Sequence, residues 1–114
     1  CITCHLADGK GAENLAPPLV DSDWVQGSQE RLIRIALHGV QGPIKVNGNR
    51  YRHPEIMPGM GAALKDKQIA DVLSYVRTAW GGKSQVKLED VSRVRDEHKG
   101  RVLPWEVKDL LKID

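Results

Sequence analysis

The first five residues, Cys1-Ile2-Thr3-Cys4-His5, constrain this chain more than any other feature of its sequence. They contain both of its cysteines, and a histidine follows the second cysteine directly. On one helical turn the two thiols would lie close together, with the imidazole beside them. Three reactive or metal-binding groups in five residues indicate that the fold is built around something that it binds.

The composition supports the same conclusion. The chain has 114 residues, of which 40% are hydrophobic and 28% charged, values typical of one globular domain. It has no phenylalanine, however, and its aromatic residues are Trp24, Tyr51, Tyr75, Trp80 and Trp105. A small core with so few large rings either takes apolar bulk from a cofactor or a partner, or is only marginally stable alone.

Two classes of protein are disfavoured by charge and hydropathy. The formal net charge is +2, and no block of lysine and arginine is interleaved with aromatic residues, so we expect no nucleic-acid partner. The longest apolar runs are only a few residues, so we expect no transmembrane segment.

Cys1, Cys4 and His5 match the C-x-x-C-H pattern of covalent haem attachment. Both thiols can add to the vinyl groups on one edge of a porphyrin, and the imidazole that follows can bind the iron. A thioredoxin-like dithiol would need a preceding strand, which the sequence lacks. A zinc site would need ligands that are less contiguous. We therefore favour one haem c, bound covalently.

A six-coordinate iron needs a second axial ligand, and Met57 and Met60 are the only methionines. A methionine usually fills a core, but these two lie in a loop rich in glycine and proline, where a side chain can be held out toward a ligand. His53, four residues before Met57, is the strongest alternative. His38 and His98 are weaker alternatives, since each is better explained as structural or solvated.

Capping residues and apolar spacing predict three helices. Ser28 can cap a helix that ends at Gly39, a second helix should run from about Asp66 to Trp80, and a third from Leu88 to Lys99. Pro104 can open a last turn. No stretch alternates like a strand for long, so we expect an all-α class with long loops.

The composition changes after residue 82. Residues 83–114 hold nearly half of the charged side chains in little more than a quarter of the length, whereas residues 1–82 hold most of the glycines and prolines. We therefore predict a haem domain at 1–82 and a charged, solvated helical extension at 83–114.

The chain resembles a mono-haem class I cytochrome c domain over residues 1–82. The resemblance rests on the attachment motif, on Ala16-Pro17-Pro18-Leu19, and on Met57-Pro58 followed by Leu64 and the second helix. It implies that Met57 is the sixth ligand, that the Pro17 carbonyl accepts a hydrogen bond from the His5 imidazole, and that Leu19 packs on the porphyrin.

Two further expectations concern the surroundings of the porphyrin. We expect Leu37 and Leu73 to pack on it together with Leu19. Its two carboxylates would be costly to bury unpaired, and Trp24, Arg34, Tyr51 and Arg52 are candidates to face them.

A weaker likeness links the chain to cytochrome domains fused to or partnered with bacterial periplasmic sugar and alcohol dehydrogenases. It implies an electron carrier, not an enzyme as a domain, that accepts electrons from a dehydrogenase and passes them to another cytochrome or an oxidase. The alternatives are a haem catalyst or gas sensor with an open sixth position, and a haem domain whose tail acts as an assembly module.

The family normally has a helix before the attachment motif, and here the motif begins at residue 1. We therefore expect this N-terminal helix to be missing and the sequence to be part of a longer, exported chain.

Overall fold

The computed structural model describes residues 2–12, 16–51, 56–82 and 85–113. Within these ranges the helices are α1 (Ile2–His5), α2 (Asp23–Gln26), α3 (Gln29–His38), α4 (Asp66–Trp80), α5 (Leu88–Glu97) and α6 (Val107–Leu110). The strands are β1 (Gly39–Gln41), β2 (Ile44–Val46), β3 (Asn49–Tyr51), β4 (Ile56–Pro58) and β5 (Trp105–Glu106).

Helix α3 begins and ends at the residues that the sequence predicts. The Ser28 hydroxyl accepts a hydrogen bond from the backbone N–H of Arg31 at 3.2 Å. Gly39 follows the last helical residue with φ of 85° and donates its backbone N–H to Ile35. The serine therefore satisfies an N-terminal donor, and the glycine lets the chain leave the helix without steric cost.

Helix α4 also has its predicted bounds, although Lys65 offers no acceptor at its N-terminus. The Gln68 side chain compensates by accepting from the Lys65 backbone N–H at 2.8 Å. Helix α5 begins at Leu88 as predicted and ends two residues earlier than expected, at Glu97.

The all-α class is too narrow for this fold, because the described residues also form two small sheets. Strands β4, β1 and β5 form one sheet in that order, with β4 antiparallel and β5 parallel to β1. Strands β2 and β3 form a hairpin. Strands of two or three residues are too short to show alternation, which explains why periodicity did not predict them.

Side chains of residues 85–113 are buried in two clusters with other parts of the described fold, where the sequence predicts a solvated extension. Val91 and Val94 of α5 are fully enclosed against α3 and α4. The Arg95 guanidinium also donates to the carbonyls of Gly61 and Leu64. The boundary predicted at residue 82 stays a prediction.

None of the helices in the described ranges is both long enough and apolar enough to cross a membrane.

Candidate haem site

His5 is buried at the end of the short helix α1. Its Nδ1 lies 2.7 Å from the carbonyl oxygen of Pro17 and donates a hydrogen bond to it. Burial lowers the pKa of the His5 imidazole, so the ring is neutral near pH 7. A neutral ring that donates through Nδ1 keeps Nε2 as the nitrogen available to a metal.

Gly11 fixes the turn that places Pro17 next to His5. Gly11 has φ of 65° and donates its backbone N–H to the His5 carbonyl at 2.9 Å. A Cβ at Gly11 would meet the backbone of Ala16 and Pro17. This close approach explains why a glycine stands here, and it fixes the Pro17 carbonyl relative to the imidazole.

His5 opens onto a cavity of about 500 Å³. The lining is mostly apolar and comes from several elements of the fold: Cys4, Ala16, Pro17, Pro18 and Leu19 near the motif; Trp24, Val25, Leu32, Ile35 and Ala36 from α2 and α3; Val40, Ile44, Val46 and Tyr51 from the strands; and Ile69, Val72, Leu73 and Val76 from α4. The volume is typical of a pocket for an organic cofactor.

Both methionines line this cavity. Met57 lies on β4 opposite Val40 of β1, in an antiparallel pair. Met60 follows on the loop, and its backbone N–H donates to the carbonyl of Ala36 at 2.7 Å. The sheet and α3 thus hold both thioether side chains at the wall of the cavity.

The residues present fit a covalently held porphyrin. An apolar cavity accepts the macrocycle, a half-buried thiol at Cys4 and an oriented neutral imidazole lie at its wall, and a soft thioether lies there too.

The sequence matches the cytochrome c family over residues 1–80. The chain belongs to the cytochrome c family. Its cofactor is therefore one covalently bound haem c, and electron transport is its class of function.

Related proteins extend the likeness beyond the haem motif. The chain is 36% identical over 105 residues to cytochrome c-552 of Thermus thermophilus, an alignment that covers 83% of this chain and 78% of the relative. It is 34% identical over 99 residues to the cytochrome c subunit of a quinone alcohol dehydrogenase of Gluconacetobacter polyoxogenes. It is 32% identical over 110 residues to the gluconate 2-dehydrogenase cytochrome c subunit of Pantoea cypripedii.

The two dehydrogenase subunits are much longer than this cytochrome c domain. The alignments cover 84% and 85% of this chain but only 20% and 22% of those subunits. The expectation that the sequence is part of a longer chain stays a prediction.

Several predicted haem contacts line the cavity of this cytochrome c domain: Pro17, Leu19, Trp24, Tyr51, Met57 and Leu73. The Trp24 indole N–H is already used, since it donates to the carbonyl of Lys45 at 2.9 Å. Cys1, Arg52 and His53 lie outside the described residues.

Arg34 and Leu37 are absent from the lining of this cavity, and their predicted haem contacts stay predictions. Arg34 pairs with Glu30 at 3.0 Å, and its guanidinium lies 4.7 Å from the centre of the Trp105 ring. Leu37 packs in the core between α3, α4 and α5. By helical periodicity, Arg34 and Leu37 lie on a different face of α3 from Leu32 and Ile35, and those two residues line the cavity.

Sequence reasoning missed two contributors to the cavity wall. The first is the hairpin of β2 and β3. Its turn, Asn47-Gly48, has positive φ at both residues, and this dipeptide is the sequence pattern that could have predicted the hairpin. The second is Val107, from the tail. No local signal places Val107 there, because its position depends on the pairing of β5 with β1.

Proposed function

We propose that this cytochrome c domain carries single electrons on a haem c attached through Cys1 and Cys4, with His5 and Met57 as the axial ligands of the iron. The observation that carries the proposal is the hydrogen bond from His5 Nδ1 to Pro17, beside a cavity that Met57 lines. When bound, the haem supplies one-electron redox chemistry at its iron.

The residues of the chain would make that electron transfer fast and selective. The Pro17 carbonyl keeps the His5 ring in one orientation and one tautomer, so the ring need not reorganise when the charge at the iron changes. The mostly apolar lining of the cavity would keep water away from the bound haem. The soft sulfur of Met57 favours the reduced state more than a second imidazole would.

Tyr51 is the best remaining candidate to face the haem carboxylates. It lines the cavity from β3, opposite Ile44 in the hairpin. We favour Tyr51 over Arg34, whose guanidinium contacts Glu30 and Trp105.

A dehydrogenase is the electron donor that we propose, and another cytochrome or an oxidase the acceptor. Two of the relatives are cytochrome c subunits of alcohol and gluconate dehydrogenases. We also propose that the protein is exported to the periplasm, where such electron carriers meet their partners and where haem attachment requires reduced thiols in an oxidising compartment.

The experiment that tests the ligand set compares Met57→Ala with Met60→Ala in the haem-loaded protein. Met60 is the matched control, since both thioethers line the same cavity. We expect Met57→Ala alone to abolish the sulfur-to-iron absorption at the red edge of the oxidised spectrum and to open the reduced protein to carbon monoxide.

Three outcomes would redirect the proposal. Loss of the absorption in Met60→Ala alone would move the ligand to Met60. A wild type without the absorption, together with a changed spectrum in His53→Ala, would favour a histidine. Rapid binding of carbon monoxide by the wild type would favour the haem catalyst or gas sensor.

A further inference from the structure

Trp105, from the C-terminal tail, lies in the same sheet row as Met57. In the sheet, Val40 pairs with Met57 on one side and with Trp105 on the other. Directly paired residues of neighbouring strands project from the same face of a sheet. Met57, Val40 and Trp105 therefore form one continuous row, and the first two line the haem cavity.

The same row is joined to a second cluster of apolar side chains. Ile35, Trp105 and Leu110 are all buried together, and Val40 and Met57 pack against them. Part of the wall behind Met57 is thus made by α3 and by the tail.

Trp105 itself is held in one orientation from several sides. The guanidinium groups of Arg101 and Arg34 lie 3.5 Å and 4.7 Å from the centre of its ring. The rings of His38 and His98 meet it edge-on. Its indole N–H donates to His38 Nδ1 at 3.3 Å. Stacking and hydrogen bonding together make this indole a rigid support.

A methionine ligand needs such a support more than a histidine does. Its side chain has three rotatable bonds, so an unsupported thioether leaves the iron easily. Holding β1 from the far side limits how far β4, and with it Met57, can move away from the cavity.

We propose that Trp105 is a positioning residue for Met57, acting through Val40 and strand β1 to keep the thioether at the iron. The inference rests on the proposed ligation by Met57. It gives the tail a role at the redox site beyond packing in the core.

The test uses the haem-loaded protein with Trp105→Ala, Trp105→Phe and a control, Val94→Ala. Val94 also belongs to the tail and is buried even more completely than Trp105, but it packs in the cluster between α3, α4 and α5. For each variant we would measure the thermal unfolding midpoint, the temperature at which the red-edge absorption disappears, and the rate of carbon monoxide binding to the reduced form.

We expect Trp105→Ala to lose the absorption well below its unfolding temperature. We also expect it to bind carbon monoxide about tenfold faster, because the binding rate follows the fraction of molecules in which the sixth position is open. Trp105→Phe keeps a ring and should restore both values. Val94→Ala should unfold at a lower temperature and keep the absorption until it unfolds.

The proposal is overturned if Trp105→Ala keeps the absorption until it unfolds and binds carbon monoxide at the wild-type rate. It is also overturned if Val94→Ala accelerates carbon monoxide binding equally, since the effect would then be general loss of stability. Should Trp105→Ala not fold, Trp105→Leu takes its place under the same criteria. A wild type that lacks the absorption would instead refute ligation by Met57.

Discussion

The imidazole of His5 and the carbonyl oxygen of Pro17 are joined by a hydrogen bond of 2.7 Å across twelve residues of sequence. The bond links the attachment motif to the loop that follows it. Because it engages Nδ1, it fixes the tautomer of the ring and increases the electron density that Nε2 can offer to a metal.

Pro17→Gly should raise the reduction potential of the haem protein. Glycine frees the backbone at residue 17, so the hydrogen bond lengthens, the imidazole becomes a weaker donor, and the oxidised iron is less stabilised. We also expect the free energy of unfolding to fall by about 0.5–1 kcal/mol, because the unfolded chain gains freedom. Redox titration and thermal unfolding measure the two effects.

Pro18→Gly is the control for this change. It releases the same backbone restraint one residue later, but the carbonyl that His5 engages belongs to Pro17. We expect the same loss of stability and an unchanged potential. A potential that shifts equally in both variants would mean that loosening the loop, and not the hydrogen bond, sets it.

Gly39→Ala should destabilise the fold and disturb β4. Gly39 has φ of 85°, and a Cβ there would meet the carbonyl oxygen of Met57. Gly48→Ala is the matched control, with φ of 86° and open space around the added carbon. The control should cost about 1 kcal/mol from backbone strain alone, and Gly39→Ala should cost at least about twice that, since strand β4 must also shift.

Chemical denaturation gives both free energies, and the red-edge absorption reports whether Met57 moves. Equal costs at the two glycines would show that β1 and β4 are not packed as closely as the structure has them.

Arg95→Ala should loosen the contact between α5 and the loop after Met60. The guanidinium pairs with Asp66 and donates to the carbonyls of Gly61 and Leu64. Charge-assisted hydrogen bonds at a side chain that is about one-third exposed should contribute about 2 kcal/mol in all. Denaturant unfolding measures this loss.

Arg93→Ala provides the comparison on the same helix. Arg93 pairs with Glu30 and Glu97 but is nearly half exposed, so its loss should cost less than about 1 kcal/mol. If the two arginines prove equivalent, the bonds to the loop carbonyls contribute nothing measurable.

Acidification should destabilise the protein before its carboxylates titrate. Burial, together with the charge of Arg34 and Arg101, lowers the pKa of His98, against the opposing effect of Glu97 and Glu30. Burial, aided by nearby cations, lowers the pKa of His38 in the same way. The unfolded chain therefore takes up these protons first, and stability falls as the pH decreases below about 6.5.

His98→Phe keeps a ring against Trp105 and removes one of these titrations. Thermal unfolding of the haem protein between about pH 7.5 and pH 5 should show a smaller decrease for the variant than for the wild type. An equal decrease, or one confined to the range where Asp66 titrates, would contradict the assignment. The Ser92 hydroxyl, together with Arg95, lowers the pKa of that carboxyl, so its range lies well below that of the histidines.

Much of the helical framework could be predicted from local residues. Ser28 and Gly39 determine the ends of α3 through contacts within a few residues, and apolar spacing determines the buried face of α4. The hydrogen bond from His5 to Pro17 was predicted only through the resemblance to the cytochrome c family, because no residue near His5 in the sequence specifies its partner.

The sequence was a poorer guide to which neighbouring element a helical side chain contacts. Arg34, one of four candidates to face the haem carboxylates, lies against Trp105, a residue 71 positions later in the chain. A charged side chain on an amphipathic helix can face either a ligand or a neighbouring element, and only the packing of that element decides which.

The sequence by itself determined the chemistry of this protein. Two thiols and an imidazole within five residues specify a covalently held haem, because the spacing alone matches the macrocycle. Only the tertiary structure decided that Trp105 of the tail belongs to the cluster against which Met57 packs. That outcome depends on β5 pairing with β1, and strands of two and three residues have no periodicity to reveal such a pairing over 65 residues of sequence.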